Sequence, residues 1–381
     1  MNIELSVVMP CLNEAETLEI CITKAQSFFK KNNVVGEIII ADNGSSDGSQ
    51  AIAKKLNTVL IPVKNKGYGN ALKGGIEKAQ GTYIIMADAD DSYDFEDLLP
   101  FLLKLREGYD LVMGNRFKGG IKKNAMPFIH KYLGNPVLSF IGRLFFKINI
   151  RDFHCGLRGF SKEAYGKMNL KTTGMEFASE MIVKSKLNNL SITEVPTILY
   201  PDGRTRKPHL KTWRDGWRHL RFLALYSPKW LFLYPSIIMM ITGLLISLRL
   251  INQPIHIKDI VFDVNTLLYT SSLILVGFQC FIFYALTKIF AVENGLLPKS
   301  NRYDKLFKYL NLEFGLIIGA ILLIFGVSLT FYSLNLWEDY GFGNLDPQYM
   351  LRLIIPAVFT ILLGVQAILF SLFFSILGLK N

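Results

Sequence analysis

Short apolar runs alternate with helical apolar stripes through the first half of the chain, and long unbroken apolar runs fill its last third. Residues 5–9, 37–41, 58–63, 82–87, 110–113 and 192–199 are apolar stretches bounded by turn residues, and they predict strands. Amphipathic stretches follow most of them, ending near residues 30 and 80 and spanning about 95–107, and they predict helices. Strands alternating with helices predict a parallel α/β sheet. The run at 82–87 is continuous rather than alternating, which suits a strand buried on both faces. Ligands of such sheets bind beyond the carboxyl ends of the strands. The polar residues just after each strand are therefore the informative ones.

The last third predicts four membrane-crossing helices, at about 231–248, 266–290, 314–334 and 353–377. The second loop between them carries Lys299, Arg302, Lys305 and Lys308. The first has Lys258 with Asp259 and Asp263, and the third has Glu338, Asp339 and Asp346. The positive-inside rule then places the N-terminal domain, the second loop and the C-terminus in the cytoplasm. Just before the first span, Leu210, Trp213, Trp217, Leu220 and Ala224 recur at helical spacing beside Lys211, Arg214, Arg218 and Arg221. That composition suits a helix lying in the headgroup layer, in preference to one packed on the domain. The expected division is 1–208 for the α/β domain, 209–230 for the interfacial helix and 231–381 for the spans.

Composition adds a compartment. Met1 leads directly into a charged residue and a strand, so no cleavable signal peptide is expected. Cys11, Cys21, Cys155 and Cys280 lack metal-ligand spacing, and Cys280 falls in an apolar run, which points to reduced thiols. The net charge is +11. Its clustering beside hydrophobic spans points to anionic lipid headgroups rather than nucleic acid. A homo-oligomer is left open.

The candidate chemistry sits at the strand ends. Asp88 and Asp90 flank a small Ala89, and together they suit a hard divalent cation that bridges carboxylates to substrate phosphates. The alternative is an acidic loop leading to a helix start at Asp94 and Glu96. Residues 42–49 are a turn-rich segment able to cap the next helix. Lys66, with the glycines at 67 and 69, offers either a diphosphate contact or an ordinary turn.

Three motifs then carry a resemblance. Val8-Met9-Pro10-Cys11-Leu12-Asn13-Glu14, Asp42-Asn43-Gly44-Ser45-Ser46-Asp47-Gly48 and Asp88-Ala89-Asp90, in that order, resemble the family-2 glycosyltransferases with the GT-A (Rossmann-like) fold. Later motifs resemble the polyprenyl-phosphate glycosyltransferases, the group that includes dolichol-phosphate mannose synthase. The resemblance covers roughly the first 230 residues and implies a membrane tail. It implies that Pro10, Asn13 and Glu14 line the nucleoside pocket, that Asp42 meets the base, and that Asp88 lies near the ribose and diphosphate. Asp88 and Asp90 would hold Mg2+ or Mn2+, with Ser92 or Asp91 standing where the family has glutamine. Such a metal neutralises the leaving nucleoside diphosphate.

On the acceptor side, Asp152, Cys155, Gly156 and Arg158 match a family segment that closes over the acceptor, with Leu157 in place of an aromatic. Asp90, Asp152 and Arg158 are the expected catalytic residues. A hydroxyl acceptor needs a general base. A phosphate monoester does not, because its second pKa of about 6 leaves it largely ionised at neutral pH. Arg116, Arg158, Arg204 and Lys207 are the expected phosphate clamps, each with a surface ion pair as the alternative, and Asp152 would then orient an arginine or the sugar. Glu176 and Glu180, one helical turn apart, would either read sugar hydroxyls or serve the helix start. His130 and His154 are expected to be structural.

The resulting expectation is a membrane-bound, inverting enzyme that moves a hexose from UDP-glucose or GDP-mannose to polyprenyl phosphate. Two rivals are weighed against it. A processive polysaccharide synthase would carry Gln-X-X-Arg-Trp, but Trp213 and Trp217 follow Thr212 and Gly216. A non-catalytic lipid-carrier translocator would need polar groups in its spans, which hold few ionisable residues.

Overall fold

The computed structural model describes residues 2–205, 212–295, 297 and 312–378. The chain forms two compact units, Met1–Leu225 and Tyr226–Asn381. Lys207, Leu210, Lys211 and the four second-loop cations lie outside the described residues.

The first unit is built on β1 (Leu5–Cys11), β2 (Gly36–Asp42), β3 (Val59–Pro62), β4 (Tyr83–Met86), β5 (Leu111–Asn115), β6 (Arg158–Ser161) and β7 (Ile192–Pro196). They make one sheet in the order β3-β2-β1-β4-β6-β5-β7. Every residue of β1 except Pro10 is buried, which is why its sequence is a continuous apolar run. Pro10 comes after the last β1–β4 pair, Val8 with Met86, so its missing N–H costs no bond to β4. Helices α1 (Leu18–Lys31), α2 (Ser49–Lys55), α3 (Tyr68–Lys78) and α4 (Leu99–Arg106) lie between successive strands. The buried face of α1 presents Leu18, Cys21, Ile22, Ala25 and Phe28 at helical spacing.

One expectation is corrected. The sheet is mixed, because β6 runs antiparallel to both β4 and β5. Its sequence, Arg-Gly-Phe-Ser, has a single apolar residue and no alternation to reveal it. A Cβ on Gly159 would come within 3.1 Å of Leu105 and 3.3 Å of Ile85, so a larger residue there would press on α4 and β4. Since β6 reverses direction between them, β4 and β5 still point the same way. The carboxyl ends of β1 to β5 and of β7 therefore share one edge.

After β5 come α5 (Arg116–Gly119), a π-helical turn His130–Gly134 running into α6 (Asn135–Phe146), then α7 (Lys162–Met168), α8 (Phe177–Leu187) and α9 (Thr212–Leu225). The second unit holds α10 (Tyr234–Asn252), the antiparallel hairpin β8 (Ile255–Ile257) and β9 (Ile260–Phe262), α11 (Val264–Glu293), α12 (Leu312–Asp339) and α13 (Pro347–Gly378). Four spans, Lys229–Asn252, Val264–Glu293, Leu312–Asp339 and Pro347–Leu377, are long and apolar enough to cross a membrane by length and composition. α12 and α13 pack closely through small residues: a Cβ on Gly319 would lie 2.9 Å from the Gly364 carbonyl. Arg352 of α13 binds the Asp263 carboxylate and the Leu250 carbonyl, tying three helix ends together. Neither this tie nor the β8–β9 hairpin was legible in the sequence.

Candidate active site

The loops after β1 and β2 are fastened to each other. Asn13 adopts a left-handed backbone (φ 60°), and its side chain accepts from the Ser46 N–H at 2.8 Å. The Asn13 N–H donates to Ser45 Oγ at 2.8 Å, Glu14 N–H to Ser49 Oγ at 2.9 Å, and Ala15 N–H to Asp47 at 2.9 Å. Asp42 is buried and accepts from the Gly44 and Ser45 N–H groups and from Gln50 Nε2. It organises its own turn. Asn43 performs the same task for the next loop, bonding Val63, Asn65 and Gly67, while Lys66 Nζ donates to the Asn43 carbonyl at 2.6 Å. Pro10 and Asp42, at the ends of β1 and β2, thus stand along one rim with Asn13, Glu14 and Lys66 on the adjoining loops.

The acidic pair lies at the end of β4. Asp88 is half-buried and hydrogen-bonded by the Tyr68 hydroxyl. Burial first, and then the charge of Asp90, push its carboxyl up to about 7. Asp90 is buried and fully engaged. Its Oδ1 accepts from the Ser92 N–H at 3.1 Å and the Ser92 hydroxyl at 2.6 Å, and its Oδ2 meets Arg204 Nη2 at 2.8 Å. Ser92 therefore donates into Asp90, and Asp91 pairs with Lys24 at 2.7 Å. Arg204 also reaches Glu14 Oε1 at 3.2 Å and Asp202 Oδ2 at 2.9 Å.

A divalent metal fits the chemistry of this cluster. Its donors are hard carboxylate oxygens, and one guanidinium faces the carboxylates of Glu14, Asp90 and Asp202, with Asp88 close by. Among the described residues no three His, Cys, Asp or Glu side chains converge as a ready-made metal cage. Mg2+ in particular is usually held by one or two carboxylates plus substrate phosphates, so a pair suffices.

Against Asp88 sits the segment that the sequence assigns to the acceptor. A Cβ on Gly156 would lie 2.7 Å from Asp88 Oδ2, and the Gly156 N–H donates to the Tyr93 hydroxyl at 2.9 Å. Two residues after Asp152, His154 begins a turn whose N–H returns to that carboxylate. Asp152 is completely buried. It accepts from Arg116 Nε at 2.7 Å, Arg116 Nη2 at 2.8 Å and the Arg116 N–H at 3.1 Å. Arg116 and Asp152 thus form a bidentate pair, and the Asp152 oxygens accept from Arg116 and from the His154 N–H.

Arg158 departs from the sequence reading. It is wholly buried in β6, its Nε and Nη2 donate to the Cys155 carbonyl at 3.2 and 2.6 Å, and its Nη1 donates to the Ala178 carbonyl at 2.7 Å. The guanidinium is used to join the 155 turn to α8, and that geometry leaves it no face for a phosphate. Glu180 is likewise filled by the Lys171 and Thr172 N–H groups, the Thr172 hydroxyl and Lys184. Glu176 Oε2 is buried without a hydrogen-bond partner among the described residues.

The histidines lie away from the acidic pair in their contacts. His130 meets the Thr212 hydroxyl at 3.0 Å, and the His154 ring packs edge-on to His219 at 4.7 Å. His219 is hydrogen-bonded to Ser179 at 2.8 Å, and burial first, with Arg158 assisting against Asp215, pushes its pKa down to about 4. Between that value and the ordinary 6.5 the unfolded chain binds the extra proton. Stability is therefore lost as pH falls through this window, by up to about 3 kcal/mol, and is retained above it. Thermal unfolding from pH 7 to pH 4 is expected to show that slope, and His219→Asn is expected to flatten it.

Sequence reasoning missed three supports of this site. Tyr68 and Tyr93 hold Asp88 and Gly156, and Glu194 of β7 accepts from the Asp152 N–H at 3.1 Å and from Asn115 Nδ2 at 3.1 Å. A glutamate on the inner part of a strand was the available signal for the last.

Comparison with known proteins identifies the family. The glycosyl transferase family 2 model matches residues 6–168, and the glycosyltransferase family 2 C-terminal transmembrane region matches 285–378. A low-salt glycan biosynthesis hexosyltransferase, Agl6 of Haloferax volcanii, is 33% identical over 98% of this chain and 89% of its own. A dolichyl-phosphate hexose transferase of the same organism is 25% identical over 51% of this chain and 81% of its own. Among solved structures, glucosyl-3-phosphoglycerate synthase from Mycobacterium tuberculosis is similar at TM-score 0.44 and 19% identity, over 58% of this chain and 77% of that one, too distant to bear on mechanism. With its motifs set along one sheet edge and its spans following, the chain belongs to glycosyltransferase family 2, as an enzyme with a GT-A domain and a helical membrane domain.

Proposed function

We propose that this enzyme transfers a hexose from a nucleoside-diphosphate sugar, of the UDP-glucose or GDP-mannose type, to polyprenyl phosphate at the cytoplasmic face of the membrane, with inversion and with Mg2+ or Mn2+. One observation carries the reading: Asp88 of the acidic pair lies against Gly156, in the same segment as Asp152, whose carboxylate is occupied by the buried Arg116. An acceptor that arrives already ionised needs no base, and a phosphate monoester is such an acceptor. The two Haloferax relatives, a hexosyltransferase and a dolichyl-phosphate hexose transferase, support hexose and lipid phosphate.

In this reading Asp88 and Asp90 would hold the metal with Ser92 steadying Asp90, and a metal there would supply positive charge for the departing diphosphate. Pro10, Asn13, Glu14, Asp42 and Lys66 line the nucleoside end, and Glu176 is left to meet the sugar. Arg116, Arg204 and Lys207 receive the acceptor phosphate. Asp152 and Arg158 position the acceptor loop rather than exchange protons.

The bilayer reading is supported by an uneven helix. Asp215, His219, Phe222 and Leu223 of α9 are buried, whereas Trp213 is 80% and Trp217 62% exposed beside Arg214, Arg218 and Arg221. Phe128, Tyr132, Leu133 and Phe140 around α6 are exposed as well. Tryptophan beside arginine suits the headgroup layer. In single-tryptophan forms of the reconstituted protein, Trp213 and Trp217 are expected to be quenched by lipids brominated near the headgroup. Absence of quenching rejects the interfacial helix.

The activity itself is tested with purified protein, radiolabelled nucleotide sugars, Mn2+ and undecaprenyl phosphate. A mild-acid-labile glycolipid is expected. Polymer, or no turnover with any donor, rejects the proposal.

A further inference from the structure

The acidic pair is covered by the chain itself. Residues 200–205 cross it as a strap: the Tyr200 N–H donates to the Ser92 carbonyl at 3.0 Å and the Gly203 N–H to the Asp90 carbonyl at 2.9 Å. The Thr205 N–H and hydroxyl donate to Glu16 at 2.7 and 2.6 Å. Gly203 packs so closely that a Cβ there would lie 2.9 Å from Thr17 Cγ2. From this strap Arg204 turns inward, 11% exposed, and bonds Asp90 Oδ2, Glu14 Oε1 and Asp202 Oδ2 at 2.8, 3.2 and 2.9 Å.

That arrangement poses a competition. Asp90 Oδ1 is filled by Ser92, so Oδ2 is the oxygen on which a cation would have to act, and Arg204 holds it. A guanidinium and a divalent ion on one carboxylate oxygen repel each other. Taking Arg204 away with nothing in its place leaves buried carboxylates unpaired, which is costly. A strap held in this way is satisfied while the cation is absent, and would lose its Arg204 anchor if a cation took that place.

We infer that Arg204 is an internal counter-cation that latches the 200–205 strap over Glu14 and Asp90, and that a divalent cation displaces it and frees its guanidinium for the acceptor phosphate. The inference rests on the glycosyltransfer reading and adds an order to it: the donor with its metal binds first, and only then is the acceptor's clamp available. By linkage the coupling is reciprocal, so bound lipid phosphate tightens the metal-donor complex in return.

The test uses the full chain in nanodiscs, with Mn2+ alone as the probe. Mn2+ affinity is read by electron paramagnetic resonance for the wild type, Arg204→Ala, Arg204→Gln and Asp90→Asn. Amide exchange at Gly203 and Thr205 is read in the wild type with and without Mn2+. Both Arg204 variants are expected to bind Mn2+ at least tenfold more tightly than the wild type, and Mn2+ is expected to speed exchange in the wild-type strap. Two variants guard against one failing to fold. If binding is unchanged or weaker in both but lost in Asp90→Asn, the latch is wrong and the metal site stands. Tighter binding with no change in strap exchange also overturns the latch, since it reports charge removal alone. No saturable Mn2+ binding in any form overturns the latch together with the metal reading.

Discussion

Asp90→Ala is expected to lower glycosyl transfer at least about a thousandfold while leaving the protein folded. Asp90 is the residue on which three features converge: the end of the buried strand β4, the Ser92 turn and the Arg204 contact. On the proposed reading, removing its carboxylate deletes half of the pair that would hold a metal where negative charge develops on the leaving group, and losses of charge stabilisation at such points run to about a hundredfold to a thousandfold per group. A metal partner raises that figure. Folding survives because Arg204 keeps Glu14 and Asp202 as partners. Transfer assayed on folded, monodisperse variant decides the matter, and activity within tenfold of wild type would remove Asp90 from the chemistry.

The second large effect is on stability. Arg116 and Asp152 are an almost solvent-free ion pair, 9% and 0% exposed in their side chains. Breaking such a pair from one side strands the other charge and costs about 3–5 kcal/mol. Asp152→Ala is therefore expected to lower the denaturation midpoint of the first unit steeply. Asp152→Asn keeps the shape and part of the hydrogen bonding, so it is expected to lose less stability and to retain measurable transfer per folded molecule. Loss of transfer in Asp152→Asn as deep as in Asp90→Ala would mean that this carboxylate does take a proton.

Much of the fold was legible because burial writes itself into composition. β1 and β4 are continuous apolar runs since both faces are covered, and the four spans are longer still since nothing polar is tolerated in lipid. β6 was not legible. Its four residues are placed by the strands on either side, and its arginine is the kind of residue that a reading of charge gives to a ligand. Arg158 instead meets backbone carbonyls, a contact that no side-chain pattern announces.

The site shows the same division. The acidic pair and the motif loops were found because their residue types and order are specific. What those residues do to each other was not, since Asp42 and Asn13 spend their oxygens on neighbouring N–H groups that every sequence possesses. Arg204 was read as a clamp for an anion, yet in this state it is held by three carboxylates. Sequence distance hid that contact: Arg204 follows Glu14 by 190 residues and Asp90 by 114.

The central claim is that the acceptor attacks as an anion, without help from a base. It is tested most directly by offering the reconstituted enzyme undecaprenyl phosphate and undecaprenol side by side, with the same donor and Mn2+. Product is expected from the phosphate alone. Comparable transfer to the alcohol would contradict it.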